Sequence, residues 1–215
     1  WHRPSIISRI LMACLLNIQD IGKIAYEPAL DMQRQVHASV VEKRHSENAQ
    51  PFNLLLVEHD PPVLTLSKRP SARDHLIATK QQLSDAGVVV CQTDRGGDIT
   101  YHGPGQLVGY PICDLNELYL RLHGYMRFLE DCIIEVLAEF GIQGERDHCA
   151  TGVWVGDAKI CAMGVRVSRW ISMHGFALNV NPNMNHFNLI VPCGLAGREV
   201  TSMRQLLGEQ CPDME

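Results

Sequence analysis

The feature that most constrains the fold is a strongly periodic helix followed by three closely spaced strands. Residues 122–140 place apolar side chains at three- and four-residue spacing, and Gly141 ends this helix. Beyond it lie three apolar stretches, each separated from the next only by a short turn. Strands joined by such short turns run antiparallel, because a parallel connection needs about a dozen residues or more. The sequence therefore predicts an antiparallel meander at 152–155, 160–167 and 171–180.

The first half of the chain mixes helices and strands less regularly. Pro28 suits the first turn of a helix that we predict over 28–44. Two prolines at 61–62 exclude a helix there and separate two strands. Because the elements do not repeat as strand–helix–strand units, the pattern favours an α+β fold. The other predicted elements are strands at 53–58, 63–66, 88–91 and 106–111 and short helices at 79–86 and 202–207.

Length and composition favour one globular domain over residues 1–215. Of the 215 residues, 46% are hydrophobic and 20% are charged, close to the globular average. The net charge of -5 argues against a general nucleic-acid binder. The apolar stretch at 6–18 contains Arg9 and Asn17 and is shorter than the roughly 20 residues that span a membrane. We therefore expect no nucleic acid as partner, no membrane span and no signal peptide.

Eight cysteines are spread along the chain, and no two are closer than twelve residues. Zinc sites and redox dithiols need closer pairs, so we expect no metal site and a reducing compartment. Cys193 differs from the others because it follows Pro192 and precedes a glycine in a predicted loop, which makes it the best candidate nucleophile. A neighbouring ammonium or imidazole would activate its thiol, and Lys159, His102 and His174 are the candidates for that neighbour.

The most unusual passage is the glycine-rich segment 95–106, RGGDITYHGPGQ. Dense glycine lets backbone amides approach a ligand, and a structural turn has little use for so many large polar residues. Neither GxGxxG nor GK[ST] is present, which excludes dinucleotide and P-loop sites. Two further passages are candidate ligand-binding segments within predicted strands: KICAMGVR, which begins at Lys159, and HGFALNVN, which begins at His174.

Together with PCGLAG at 192–197, these passages resemble the lipoyl(octanoyl) transferase family over about residues 26–202. One departure is Ser67, where the family commonly has glycine. The resemblance implies a mixed β-sheet flanked by helices, as in the catalytic domains of biotin and lipoate protein ligases. It implies Cys193 as the catalytic nucleophile and Lys159 as the residue that poises it. The implied substrate contacts are Arg95, Gly96, Gly97, Asp98, Ile99, Thr100, Tyr101, His102, Ala162, Met163, Gly164, Gly175, Phe176 and Ala177.

The resemblance also implies a two-step acyl transfer. The octanoyl group would pass from octanoyl-acyl carrier protein to Cys193, and then to a lysine ε-amine of a lipoyl domain. The implied acceptors are the E2 subunits of 2-oxoacid dehydrogenases and the glycine cleavage H protein. A thioester donor needs no ATP to form an amide, so no cofactor is expected. The expected location is the cytoplasm, or the mitochondrial matrix in a eukaryote.

Two further sets of residues are candidates for contacts with the acyl chain and with its carrier. Apolar residues at the predicted strands would wall an eight-carbon chain, and basic residues would meet an acidic carrier protein. The apolar candidates are Met163, Val165, Phe176 and Leu178, and the basic ones are Lys68, Arg69, Arg73, Arg166 and Arg169.

Three other functions remain open from the sequence. An ATP-dependent lipoate or biotin protein ligase of the same fold would not need Cys193. A non-catalytic module that binds lipoyl domains or acyl carriers would need neither Cys193 nor Lys159. A cysteine hydrolase would release its acyl-enzyme to water rather than to an amine.

Overall fold

The computed structural model describes residues 16–47, 49–192 and 197–214. Within these ranges the chain forms eleven strands, numbered here in chain order. They are β1 (Leu16–Ile24), β2 (Phe52–His59), β3 (Val63–Leu66), β4 (Val89–Gln92), β5 (Thr100–His102), β6 (Gln106–Cys113), β7 (Glu145–Arg146), β8 (Val153–Val155), β9 (Ala158–Ser168), β10 (Ile171–Asn179) and β11 (Glu199–Val200).

Helices connect these strands. In the same ranges there are four α-helices, and three short 3-10 helices occupy loops. The α-helices are α1 (Tyr26–Lys43), α2 (Lys80–Asp85), α3 (Leu122–Glu139) and α4 (Met203–Leu207). The 3-10 helices are Pro70–Arg73, Met184–Leu189 and Gly208–Gln210.

The larger sheet is mixed. Its strands follow the order β1-β2-β6-β10-β9-β8-β7, and β11 pairs with β9 off this path. The pairs β1–β2 and β9–β11 are parallel, whereas the other neighbours are antiparallel. The meander predicted from the short turns is therefore confirmed as β8, β9 and β10.

A smaller sheet of order β4-β3-β5 carries the segment that leads into β5. Strand β3 pairs with β4 in parallel and with β5 antiparallel. Its core contains Leu64, Leu66 and Val88, packed with Ile190 from the far end of the chain. This packing ties the chain just before residue 193 to the small sheet.

Helices α1 and α3 cover opposite faces of the large sheet. Val108 of β6 packs in the cluster that contains Ala29 of α1, whereas its neighbour Leu107 packs against the cluster that contains Leu137 of α3. Successive residues of a strand point to opposite faces, so the two helices must lie on different sides. The predicted helices at 28–44 and 122–140 are thus confirmed within two residues at each end.

Four strands were not predicted, and the clearest is β1. Its sequence LNIQDIGKI is half polar, and most of its residues are exposed because it forms the edge of the sheet. Gly22 has φ +65° and lies where the pairing register with β2 shifts, between Asp20 and Lys23. The irregularity interrupts the period-two alternation by which a strand is predicted. The other three, β5, β7 and β11, have only two or three residues each.

Candidate active site

A cleft of about 480 Å³ lies where β9 and β10 of the large sheet meet the glycine-rich segment before β5. Residues of α1, α3 and β6 also line it. Most of the site residues predicted from the sequence are therefore brought to one place. Those that line the cleft are Lys159, Arg95, Gly96, Gly97, Asp98, Thr100, His102, Ala162, Met163, Gly164, Gly175, Phe176 and Ala177.

Small residues face each other across β9 and β10 along the cleft. Gly164 pairs with Gly175, and Ala162 pairs with Ala177, in the antiparallel ladder. Side chains at such paired positions lie only about 4.5–5.5 Å apart, so larger residues here would fill the space between them. These four residues all line the cleft and are called the small-residue floor below.

Glycine at 96 and at 164 lets the loop before β5 cross β9. The Gly96 amide donates to the Val165 carbonyl at 3.1 Å. A Cβ on Gly96 would lie 2.9 Å from that carbonyl oxygen, and a Cβ on Gly164 would lie 2.7 Å from the Gly96 oxygen. Such distances are below van der Waals contact, so the crossing requires glycine on both sides.

Arg95 and Asp98 hold this loop in shape. The Arg95 guanidinium donates to the carbonyls of Thr65 at 3.0 Å and of Asp98 at 2.8 Å. The Asp98 carboxylate accepts from His75 Nδ1 at 2.7 Å and from the Ile99 amide at 2.8 Å. Although burial opposes it, these hydrogen bonds hold the pKa of the Asp98 carboxyl below its ordinary value. The loop is thus preorganised by its own polar side chains.

Two predicted substrate contacts do not line the cleft. Ile99 and Tyr101 are fully buried in the core of the small sheet, and Tyr101 packs against Phe187 with ring centroids 5.0 Å apart. The side chains of this segment alternate, so Thr100 and His102 line the cleft while Ile99 and Tyr101 point away from it. Of the run expected from residue 95 to 102, all but Ile99 and Tyr101 line the cleft.

Lys159 lies at one end of the small-residue floor and is 6% exposed. Its ammonium donates to the Thr151 carbonyl at 3.1 Å and sits 4.8 Å from the centroid of the Trp154 ring. Its own carbonyl accepts from the Thr201 amide at 2.9 Å. The Lys159 side chain is therefore buried in the wall of the cleft.

Cys193 lies outside the described residues, but the chain on both sides of it is held by described contacts. On its N-terminal side, the Val191 amide donates to the His75 carbonyl at 2.8 Å. On its C-terminal side, Arg198 pairs with Asp147 at 2.7 Å. The Arg198 guanidinium lies 4.1 Å from the Trp154 ring that Lys159 also contacts.

A chain of buried amides fixes the ring of His102. The Asn179 amide nitrogen donates to the Thr201 carbonyl, so its Oδ1 is the acceptor for Gln106 Nε2 at 2.8 Å. Gln106 Oε1 then accepts from His102 Nδ1 at 2.8 Å. The directions follow from the backbone carbonyl, which can only accept. Burial, together with the nearby His59 and Arg95, holds the pKa of His102 well below its ordinary value, so the ring is neutral.

His59 and Tyr110 form a second buried pair beside His102. His59 Nδ1 donates to the Ile24 carbonyl at 3.0 Å, so its Nε2 accepts from the Tyr110 hydroxyl at 2.6 Å. Burial lowers the pKa of His59 to about 4. Tyr26 stacks on the His102 ring with centroids 6.4 Å apart and donates to Thr93. We call Tyr26, His59, His102 and Tyr110 the imidazole–tyrosine cluster.

His174 is oriented by a carboxylate. Its Nε2 lies 2.9 Å from Asp94 Oδ1, and Asp94 also pairs with Arg166. Burial lowers the pKa of His174, although Asp94 opposes that shift. The residue has φ +59° at the point where β10 leaves its pairing with β6, which aims the ring toward Tyr110.

The cleft also contains residues that the sequence did not single out. Tyr26, Tyr110 and Val108 line it, as do Leu122 and Met126 at the start of α3. Tyr26, Val108 and Tyr110 lie in segments that share the family resemblance but were not assigned a contact, whereas no local pattern marks Leu122 and Met126 on their amphipathic helix. The loop residues Cys149, Ala150 and Thr151 line it as well, and Cys149 is an exposed thiol.

Three of the four apolar residues predicted as acyl walls line the cleft. They are Met163, Val165 and Phe176. Leu178 instead is 2% exposed and packs in the core with Ile160. Leu178 lies two residues after Phe176, on the same face of β10, but the cleft does not extend that far. Leu178 is therefore a core residue.

Within the described ranges, the chain has no helix that is both long enough and apolar enough to cross a membrane. The expectation drawn from the early apolar stretch concerns residues that lie mostly outside those ranges.

Comparison with known proteins identifies the class to which this fold and cleft belong. The family described as "Lipoyl protein ligase A/B catalytic domain" matches residues 25–215. Among solved structures, lipoate-protein ligase A bound with ATP superposes with a TM-score of 0.63 at 12% identity, over 90% of this chain and 77% of that one. Biotin protein ligase from Aquifex aeolicus gives a TM-score of 0.50 at 13% identity, over 90% and 62%. The predicted fold is confirmed.

Closer relatives narrow the class. The octanoyltransferase of Gloeobacter violaceus is 49% identical over 191 residues, which cover 89% of this chain and 79% of the relative. The octanoyltransferase of Cytophaga hutchinsonii is 45% identical over 203 residues, covering 88% and 83%. The chain therefore belongs to the lipoyl protein ligase A/B catalytic domain family, on its octanoyltransferase branch. The expected resemblance and the expectation of an acyltransferase are confirmed.

Proposed function

We propose that this chain transfers an octanoyl group from octanoyl-acyl carrier protein to a lysine of lipoyl domains, through a thioester on Cys193. The acceptors are the lipoyl domains of 2-oxoacid dehydrogenase E2 subunits and the glycine cleavage H protein. Residues 1–215 act as one catalytic domain, in the cytoplasm or in the matrix of a mitochondrion. The names of the octanoyltransferase relatives support the acyl group, and the lipoate ligase neighbours share the fold.

The observation that carries the proposal is the burial of one ammonium at the end of an open floor. Lys159 is 6% exposed and ends a groove whose other lining consists largely of small or uncharged residues. Arg198, five residues beyond Cys193, contacts the same Trp154 ring as Lys159. This shared contact supports the proposal that the Lys159 ammonium stabilises a Cys193 thiolate.

In the first step, the Cys193 thiolate attacks the carbonyl carbon of the carrier's octanoyl thioester. The new bond joins Cys193 Sγ to that carbon, and the bond between the carbon and the carrier's sulfur breaks. The carrier leaves as a thiolate and takes a proton from the Lys159 ammonium. The products are a thiol carrier, an octanoyl-Cys193 thioester and a neutral Lys159 amine.

In the second step, the neutral ε-amine of the lipoyl-domain lysine attacks the thioester carbon. The carbon–nitrogen bond forms, the bond to Cys193 breaks, and the extra proton on nitrogen passes to the Lys159 amine. This restores the ammonium and the thiolate together. No external base or ATP enters the balance.

The small-residue floor is where the acyl chain lies in this proposal. The Gly164–Gly175 and Ala162–Ala177 pairs run away from Lys159, and Phe176 and Met163 border them. Burying about seven methylenes at about 0.8 kcal/mol each supplies several kcal/mol of binding free energy. The amides and side chains of 95–102 that line the cleft hold the thioester end and the chain against the floor.

Intact-mass analysis after incubation with octanoyl-acyl carrier protein tests the proposal. The expected result is one octanoyl increment that maps to Cys193 and disappears when a lipoyl domain is added, with octanoyl appearing on the acceptor lysine. Cys149 is the matched control because it also lines the cleft. Cys149→Ser should retain the increment, and Cys193→Ser should lose it.

Two outcomes would overturn the proposal. Octanoylation of the lipoyl domain by Cys193→Ser with free octanoate and ATP would indicate a ligase instead. Loss of the octanoyl group to water, without any amide on the lipoyl domain, would indicate a hydrolase.

A further inference from the structure

One peptide group joins Lys159 to a carboxylate on α3. The Thr151 carbonyl accepts from the Lys159 ammonium at 3.1 Å. The amide of the same peptide, that of Gly152, donates to Glu130 Oε1 at 3.1 Å. The peptide therefore lies between the Glu130 carboxylate and the Lys159 ammonium. The positive end of its dipole, the N–H, faces the carboxylate, and the negative end, the C=O, faces the ammonium.

Among the acidic residues of α3, only Glu130 is positioned to accept a hydrogen bond from the Gly152 amide. It is 1% exposed, whereas the side chain of the adjacent Asp131 is 54% exposed. Its other oxygen, Oε2, accepts from Arg127 at 2.7 Å and from Arg146 at 3.1 Å. These two arginines stabilise the buried carboxylate and leave Oε1 for the Gly152 amide.

Glycine at 152 lets this peptide lie against Lys159. Gly152 has φ +127°, a conformation that side chains rarely allow. A Cβ there would lie 2.5 Å from the Cys161 carbonyl oxygen and 3.4 Å from Lys159 Cε. The hydrogen bond from the Gly152 amide to Glu130 fixes the plane of this peptide and therefore the direction of the Thr151 carbonyl.

We propose that Glu130 is a positioning residue that aims the Lys159 ammonium, through the Thr151–Gly152 peptide, at the nucleophile of the cleft. The inference rests on the role of Lys159 proposed above. The hydrogen bond to an ionised acceptor polarises the peptide and makes the Thr151 carbonyl a stronger acceptor for the ammonium. Glu130 touches neither acyl group nor thiol.

The charged groups around Glu130 and Lys159 pair with one another or contact an aromatic ring. Glu130 faces Arg127 and Arg146, and Arg146 also pairs with Asp131. On the other side, Lys159 shares the Trp154 ring with Arg198, which pairs with Asp147. Asp131→Asn is the matched control. It removes the surface charge that pairs with Arg146 but leaves the hydrogen bond from the Gly152 amide to Glu130 in place.

The test measures the pH at which Cys193 reacts, without any acyl donor. The intact chain is alkylated with iodoacetamide over a pH series, and modification of Cys193 is quantified by peptide mass. Glu130→Gln keeps a neutral acceptor for the Gly152 amide, and Glu130→Met keeps none. We expect the midpoint to rise by about half a pH unit in the first variant and by about one unit in the second. Asp131→Asn should keep the wild-type midpoint.

Lys159→Met separates this inference from the proposed function. If Lys159→Met leaves the midpoint unchanged, the lysine does not activate Cys193 and both ideas fall. If Lys159→Met raises the midpoint but both Glu130 variants retain the wild-type value while losing thermal stability, Glu130 is only structural and this inference alone is overturned. The graded rise from Gln to Met supports it.

Discussion

The two ends of the cleft are both buried and polar, but they handle charge in opposite ways. Around Lys159, Glu130, Arg198 and Asp147 keep formal charges, each facing a partner of opposite sign or a peptide dipole. The imidazole–tyrosine cluster is held neutral, because burial lowers the pKa of His59 and His102 and raises that of Tyr110. In each end, hydrogen bonds orient the groups named here, such as the Lys159 ammonium and the His102 ring.

The difference in charge suits the two ends of the cleft to different tasks: the charged end to the reaction and the neutral end to binding of the ligand. A charge near a thiol or thioester changes the energy of a reacting state, whereas a charge beside an alkyl chain would only cost desolvation. The neutral cluster therefore closes the far part of the cleft without repelling an apolar ligand. Changes at the Lys159 end should alter rates, and changes at the other end should alter stability and chain preference.

The largest expected effect is at the charged end. Lys159→Met keeps the length of the side chain but removes the ammonium, which in the proposed mechanism stabilises the Cys193 thiolate and protonates the departing carrier thiolate. We expect the rate of octanoyl transfer to the lipoyl domain to fall by about 10³. Single-turnover mass spectrometry, sampling the acyl-enzyme and the amide product, measures both steps.

The control for this change is the thermal unfolding midpoint, because Lys159 also packs on Trp154. A rate within a few-fold of wild type in a folded Lys159→Met protein would show that the charged end of the cleft does not carry the chemistry.

The next effect concerns pH at the neutral end. The pKa of His59 is about 4 in the folded chain and about 6.5 when unfolded, so the unfolded state takes up a proton first as pH falls. The stabilisation is complete above pH 6.5 and is lost between pH 6.5 and 4, by about 3 kcal/mol for this residue. Urea unfolding across that range measures the decline.

His59→Gln isolates the contribution of this residue. Glutamine can donate to the Ile24 carbonyl and accept from the Tyr110 hydroxyl, but it does not titrate. The acid-induced loss should be smaller in the variant than in wild type. Parallel curves for the two proteins would mean that His59 is not held neutral.

The same contrast explains what the sequence could and could not predict. The small-residue floor and the glycine crossing at 96 and 164 depend on local residue types, so the passages that begin at Arg95, Lys159 and His174 indicated the site before the fold was known. Within the passage that begins at Arg95, strand alternation places the side chains of Ile99 and Tyr101 in the core of the small sheet, which the resemblance alone does not reveal.

Residues that act through long-range contacts carried no local signal. Glu130 reads as one of several acidic residues on an amphipathic helix, and only the packing of α3 beside the loop at 150–152 brings it to Gly152. The edge strand β1 was missed because its exposed, bulged pattern lacks the alternation of a half-buried strand.

A smaller effect on stability is expected from breaking the chain of side-chain amides that orients His102 at the neutral end. Gln106 is 1% exposed, and Gln106→Leu would leave both His102 Nδ1 and Asn179 Oδ1 buried without this partner. We expect the free energy of unfolding to fall by about 2 kcal/mol, measured by urea denaturation at pH 7. Gln81→Leu, at an exposed position on α2, should change it by no more than about 0.5 kcal/mol. Equal effects at the two positions would argue against the network.

The smallest effect tests the floor that connects the two ends. Ala162→Val adds two methyl carbons beside Ala177, where the proposed acyl chain lies, and displaces about two methylenes of the chain at about 0.8 kcal/mol each. We expect kcat/KM for an octanoyl donor to fall about tenfold relative to that for a butanoyl donor, whose shorter chain does not reach as far along the groove. Ala158→Val, on the same strand but outside the cleft lining, should leave the ratio unchanged. An unchanged ratio in Ala162→Val would place the acyl chain elsewhere in the cleft, since a filled floor cannot accept both chains equally.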